Sequence, residues 1–293
     1  MLSYFDLGGT DILLALALLI LVSFAAGALG TLLGLGGGLF MVPALVLLFG
    51  VEIHIAIAAS LVSVIATSCG AASTFVEEGL TNLRIGMFLE IATAVGGLVG
   101  AIVSVTILAA HGEILILAFV PVVLLAALAM YLTRRTDTRP DLPPDRLSAR
   151  FRLSGSYYDV RTQKDVDYHV TRSGTGLALA GVSGAASGLL GVGGGVFNVP
   201  AMNALMNLPM RAASATSTFM IGVTASAGAL IYLFAGDVYL GIAAPVSLGT
   251  LAGSLLASRH QFKAPVHGLK GLFVGILVLA ALLMLARGVG WLG

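Results

Sequence analysis

Among 293 residues there is one cysteine, Cys69, which excludes an internal disulfide and any metal site built from several thiolates. Charge is equally scarce: Asp, Glu, Lys and Arg make up 10% of the chain and nearly cancel, at a formal +1. That balance offers no pull on nucleic acid, and there is no basic stripe with interleaved aromatic residues. No Lys or Arg precedes Arg84, so the N-terminus, which carries Asp6 and Asp11, lacks the basic region that opens a signal peptide. The sequence also has no Ser/His/Asp set, no HExxH and no clustered metal ligands, so neither an enzyme nor a cofactor is expected.

What the chain has is apolar sequence, with 58% hydrophobic residues and a mean hydropathy of +1.03. A water-soluble fold of this length cannot hide so much apolar surface, and the composition predicts an all-α polytopic membrane protein. Apolar runs between charges and turns give five segments near 11–33, 36–50, 55–76, 85–109 and 114–132, then five more near 174–190, 195–208, 212–234, 238–258 and 267–287. Eight have about the length that spans roughly 30 Å of hydrocarbon, while 36–50 and 195–208 are short enough to be re-entrant or half-helical. The first run has a counterpart at 174–190, which predicts a retained first helix rather than a cleaved leader.

The two sets are copies. GLGGGLFMVPA at 34–44 returns as GVGGGVFNVPA at 191–201, 157 positions later, and the same offset pairs Gly27 with Gly184, Ser60 with Ser217, Thr67 with Thr224, Thr93 with Thr250 and Gly96 with Gly253. This organises the chain as a first membrane repeat (1–132), a polar linker (133–173) and a second membrane repeat (174–293). The linker holds nine of the fifteen basic residues, which places it in the cytoplasm by the positive-inside rule. Within it, SYYDVR and VDYHVTR flank TQKD, an alternation that predicts a small β-hairpin. If the short segments count as crossings, Arg84, Arg211, Arg259, Lys263 and Lys270 join the linker inside and only Arg287 lies outside. An odd number of crossings then inverts the second repeat and puts both termini outside the cytoplasm.

The motifs GLGGGLFMVPA, GLLGVGGGVFNVPAM and ASATSTFMIGVTASAGALIY resemble the TauE/SafE, or sulfite exporter, family of membrane anion permeases across both halves. The resemblance implies a multi-pass protein of the cell inner (plasma) membrane. It also implies a secondary transporter that moves small sulfur-containing or organic anions, such as sulfite, thiosulfate, sulfonates or sulfoacetate, without ATP hydrolysis. A passive anion channel is the alternative, and exchange of labelled substrate separates the two. The expected partners are the small anion and the lipid bilayer, with oligomeric state open.

Physical chemistry reaches an anion site by its own route. A helix that starts just after a glycine-rich break offers unpaired N–H groups and the positive end of its dipole. Gly36, Gly37 and Gly38, with Gly193, Gly194 and Gly195, allow the backbone to approach a ligand. Ser60, Thr216, Ser217 and Asn198 can add hydroxyl and amide donors. Glycines also serve close packing, the reading given to Gly96 and Gly100, and Ser or Thr can bond to the carbonyl four residues back. Pro43 and Pro200 are read as shaping the backbone, and Cys69 as a small buried apolar residue. Three ionisable residues stand as candidates for coupling or for the entrance. Glu90 reads first as a carboxylate paired with nearby Arg84 or snorkelling, with proton coupling as the sharper alternative. Arg211 reads equally as an anion-gathering residue and as an interface anchor. His54, its equivalent in the first repeat, reads by default as a solvated loop histidine.

Overall fold

In the computed structural model, residues 9–108, 112–132, 142–159, 163–259 and 266–289 are described. Met1, Lys263 and Gly293 lie outside them, as does the side chain of Lys270. The first half carries α1 (Gly9–Leu33), α2 (Gly38–Leu48), α3 (Ile53–Glu77), α4 (Leu83–Thr106) and α5 (Gly112–Leu132). A short helix α6 (Arg146–Phe151) and strands β1 (Gly155–Asp159) and β2 (Lys164–Tyr168) follow. The second half carries α7 (Ser173–Leu190), α8 (Gly195–Pro200), α9 (Met210–Ala235), α10 (Leu240–Ser258) and α11 (Val266–Gly288). Pro200 closes α8, and residues Ala201–Leu205 continue as one π-helical turn. A proline leaves the carbonyl four residues earlier without its helical partner, which explains the widened turn. Pro43 sits inside α2, which stays helical around it.

Among the described residues, six helices are long and apolar enough to cross a membrane: Leu13–Leu33, α3, α4, Gly112–Ala129, α9 and α10. The helix α7 has 18 residues, but its many glycines and serines dilute its hydropathy. Large apolar side chains such as Met87, Ile91, Leu230 and Phe234 point outward, as lipid-facing helices require.

Helix neighbours cross between the halves. The broadest contacts join α4 to α7 and α1 to α10; α3 packs on α10 and α9 on α4; α5 packs on α11, and α3 on α9. Small residues make these contacts close. A Cβ on Gly27 would run into the carbonyl of Thr250, and one on Gly184 into the carbonyl of Thr93. Likewise Gly96 meets the carbonyl of Gly181, and Gly253 that of Phe24. Gly96 and Gly100 are therefore packing glycines, with Gly100 set against the carbonyl of Ala185.

The hairpin predicted from the alternating pattern is present: β1 and β2 pair antiparallel, with Gly155 opposite Tyr168 and Asp159 opposite Lys164. Its connecting residues 160–162 lie outside the described residues.

Candidate functional site

Each half interrupts its helix in the same way. After α1, Gly34, Gly36 and Gly37 take φ of 73°, 74° and 44°; after α7, Gly191, Gly193 and Gly194 take 71°, 84° and 73°. Side chains rarely enter this left-handed region, and six glycines in a row of matched positions are what let the chain reverse twice inside the bundle. The helices α2 and α8 start directly afterwards, capped by Gly37 and Gly194. The carbonyl of Gly37 accepts from the N–H groups of Phe40 and Met41 at 3.0 and 3.1 Å. That of Gly194 accepts from Phe197 and Asn198, both at 3.1 Å. Among the described residues, no backbone acceptor takes the N–H of Leu39, Gly195 or Val196.

The two breaks abut. A Cβ on Gly38 would lie 2.6 Å from the Gly191 carbonyl oxygen and 3.0 Å from Ser60 Oγ, and one on Gly195 would lie 2.8 Å from the Gly34 carbonyl oxygen. The side chain of Val64 fills the space beside Gly36 and Gly193, and Ile221 caps Gly36. Ser60 Oγ donates to the Gly191 carbonyl at 2.8 Å, with the Gly38 carbonyl on a weaker branch at 3.3 Å. Ser183 Oγ donates to the Gly194 carbonyl at 2.6 Å, a bond the first half lacks because its matched residue is Ala26.

The polar candidates differ in what they already hold. Ser217 Oγ and Asn198 Nδ2 are buried and have no hydrogen-bond partner, at relative exposures of 0% and 2%. The hydroxyl of Thr216 is taken: it accepts from the backbone N–H of Asn82 at 3.0 Å. Thr67 and Thr224 bond back to the carbonyls of Ser63 and Met220, four residues earlier.

Glu90 does not pair with Arg84, which donates to the Arg152 carbonyl. Its Oε1 accepts from Thr93 Oγ1 at 3.1 Å and Thr224 Oγ1 at 2.9 Å, while Oε2 is enclosed and unpartnered. Glu90 thus sits on the contact between α4 and α9 with only uncharged donors. The reading of His54 as a solvated loop residue also gives way. It lies in the first turn of α3, and both ring nitrogens are enclosed without partners. Arg211 forms a salt bridge with Asp159 at the end of β1, and both side chains are nearly buried, at 10% and 6% exposure. Cys69 is exposed on α3 rather than buried. Tyrosine and asparagine complete the linker's attachment. Asn82 caps α4 through the Ile85 N–H, and its Nδ2 donates to the Leu153 carbonyl and to the Tyr168 hydroxyl, each at 2.9 Å. Sequence reading passed over Asn82. An Asn just before an apolar helix signals a cap, but nothing local signals that its amide will hold a segment some seventy residues away.

The family described as sulfite exporter TauE/SafE matches residues 19–284. The chain is 27% identical to the probable membrane transporter protein YunE of Bacillus subtilis (strain 168), over 77% of this chain and 81% of that protein. It is also 27% identical to the probable membrane transporter protein YdhB of the same organism, over 92% and 99%. A probable membrane transporter protein of Xylella fastidiosa (strain 9a5c) is 28% identical over 89% of each chain. No solved structure matches. With apolar spans, paired glycine breaks and a family match across nearly its whole length, this chain belongs to the TauE/SafE family of membrane transporters.

Proposed function

We propose that the chain is a secondary transporter of small sulfur-containing or organic anions, of the sulfite, thiosulfate, sulfonate or sulfoacetate class, working by alternating access in the cytoplasmic membrane. It performs no catalysis of its own. The observation that carries this reading is the meeting of two glycine breaks, each opening a helix with N–H groups in its first turn that lack a backbone acceptor among the described residues, Leu39 in α2 and Gly195 and Val196 in α8. Donors fixed in a site shielded from water attract negative charge, and Gly36, Gly37, Gly38, Gly193, Gly194, Gly195, Ser60, Asn198, Thr216 and Ser217 form its lining. Contacts exchanged between positions 157 apart support two inverted repeats related by a pseudo-twofold axis, with the site on that axis. Rocking one repeat's helices against the other's then opens the breaks to each side in turn. Glu90, in a span and without a counter-charge, is the residue we assign to coupling, and Arg211 anchors the cytoplasmic linker.

A thermal-shift screen of purified protein against sulfite, sulfonates, thiosulfate and small carboxylates tests the substrate class, because a ligand that binds the folded state raises Tm by mass action. In proteoliposomes, an imposed proton gradient is expected to drive uptake by the wild type. Glu90→Gln is expected to retain substrate exchange and lose the response to the gradient. Full gradient-driven accumulation by that variant removes Glu90 from the coupling role.

A further inference from the structure

The two halves of the site are alike in backbone but unlike in free donors. In the first half, the Ser60 hydroxyl is used up, tying the Gly191 and Gly38 carbonyls together. At the matched position in the second half, the Ser217 hydroxyl is buried with no partner. One turn into α8, Asn198 carries an amide whose Nδ2 is buried and unpartnered, where the first half has the apolar Met41. Leaving a buried amide without partners is costly, so a group that occurs in one repeat and makes no internal bond points to a ligand. Thr31 and Ser187, in the last turns of α1 and α7, also carry buried hydroxyls without a partner, and a helical hydroxyl has the carbonyl four residues back as a general option. Ser60 turns away from that option toward the breaks, and Ser217 shares its place on the helix.

Charge is missing from this donor set. No Lys or Arg occurs in residues 34–45 or 191–205, and Arg211, on the helix that carries Ser217, is held by Asp159. Neutral dipoles attract an ion in proportion to its charge, whereas the cost of stripping its water grows with the square of the charge. Doubling the charge doubles the attraction and quadruples the cost.

We propose that Asn198 Nδ2 and Ser217 Oγ are the side-chain donors to the anion, that Ser60 is a structural staple, and that this uncharged set selects singly charged oxyanions over doubly charged ones. The inference rests on the transport reading above and narrows its substrate class to sulfonate-like monoanions.

Methanesulfonate, sulfate and thiosulfate serve as probes, because their charges stay fixed around neutral pH. Binding to purified full-length protein is measured by calorimetry, with Tm recorded for every variant. Methanesulfonate is expected to bind the wild type at least about tenfold more tightly than either dianion. Asn198→Met, which copies the first half, and Ser217→Ala are each expected to weaken methanesulfonate binding by about tenfold or more. Should Asn198→Met misfold, the isosteric Asn198→Asp gives the same test, since it replaces donors with a carboxylate. Ser60→Ala, which unties the Gly191 and Gly38 carbonyls, is expected to lower Tm. Wild-type affinity in folded Asn198→Met and Ser217→Ala overturns the donor assignment, and equal or tighter binding of sulfate or thiosulfate overturns the charge selection. If carboxylates, sulfite, sulfonates and the dianions all fail to bind, the transport reading falls instead.

Discussion

A methyl group at Gly38 or Gly195 would push directly on the backbone of the opposite break, at 2.6 and 2.8 Å, whereas one at Gly37 finds nothing closer than the Ala26 carbonyl oxygen at 3.4 Å. The same chemical change therefore has different consequences at neighbouring positions. Gly38→Ala and Gly195→Ala are expected to wedge the breaks apart and lose folded protein, read as expression and Tm in detergent. Gly37→Ala keeps room for the methyl, and Gly194→Ala places it 3.1 Å from Ser183 Oγ, a hydroxyl that must shift slightly; both hold it at positive φ, a strain of about 1–2 kcal/mol, and are expected to fold with weakened substrate binding. The comparison requires a neutral glycine. Gly96→Ala does not provide one, because its Cβ would strike the Gly181 carbonyl, and it is expected to loosen α4 from α7. Gly275, with nothing within 4 Å, does: Gly275→Ala is expected to leave binding unchanged and to raise helix stability by about 0.5–1 kcal/mol. Wild-type affinity in a folded Gly37→Ala, Gly194→Ala double variant would move the site elsewhere.

Between elements, the decisive junction is where the linker hairpin meets the bundle. Arg211 opens α9 and Asp159 ends β1, so their salt bridge fixes the hairpin to the helix that carries Thr216 and Ser217. Because both side chains are nearly buried, Arg211→Gln is expected to cost about 3 kcal/mol, and the paired change Arg211→Met with Asp159→Leu markedly less. A double-mutant cycle in thermal unfolding checks this, with equal losses counting against a buried pair. A second attachment titrates. Burial raises the pKa of the Tyr168 hydroxyl, and its hydrogen bond from Asn82 lowers it in part. The folded state thus holds this proton to higher pH than the unfolded chain, so its contribution is complete below the ordinary tyrosine range near pH 10 and lost as pH rises through the folded value. Tyr168→Phe is expected to flatten the fall in Tm above about pH 10, and an unchanged slope would assign that fall to another group.

For the molecule as a whole, the expected outcome is a membrane protein with both ends on one side and the linker on the other. Nearly all basic residues share one side only in the ten-segment arrangement. Impermeant labelling of tags at Met1 and Gly293 in intact cells is expected to reach both, and protease added to inverted vesicles is expected to cut the linker and to spare both tags. Tags that are reached from opposite sides would rule out inverted repeats. The exchanged helix pairs make a related point about stability. Since α4 packs mainly on α7, and α1 on α10, neither repeat keeps its main contacts without the other. Separately expressed halves are expected to be unstable alone and to regain function only together.

Sequence alone determined the segments, because hydropathy and helix-breaking residues act locally: the expected run at 55–76 is α3 at Ile53–Glu77, and the GGG breaks fall where α2 and α8 begin. The hairpin was legible for the same reason, since alternation is a local pattern. What only tertiary structure decided was which partner each polar group finds. Ser60 and Ser217 hold matched positions in the two repeats, yet one bridges two carbonyls and the other is left without a bond. Glu90 has Arg84 six residues away but meets Thr224 from another helix, and Arg211 meets a strand of the linker. Propensity and periodicity depend on neighbours along the chain, whereas hydrogen bonds and ion pairs depend on which surfaces helix packing brings within 3 Å.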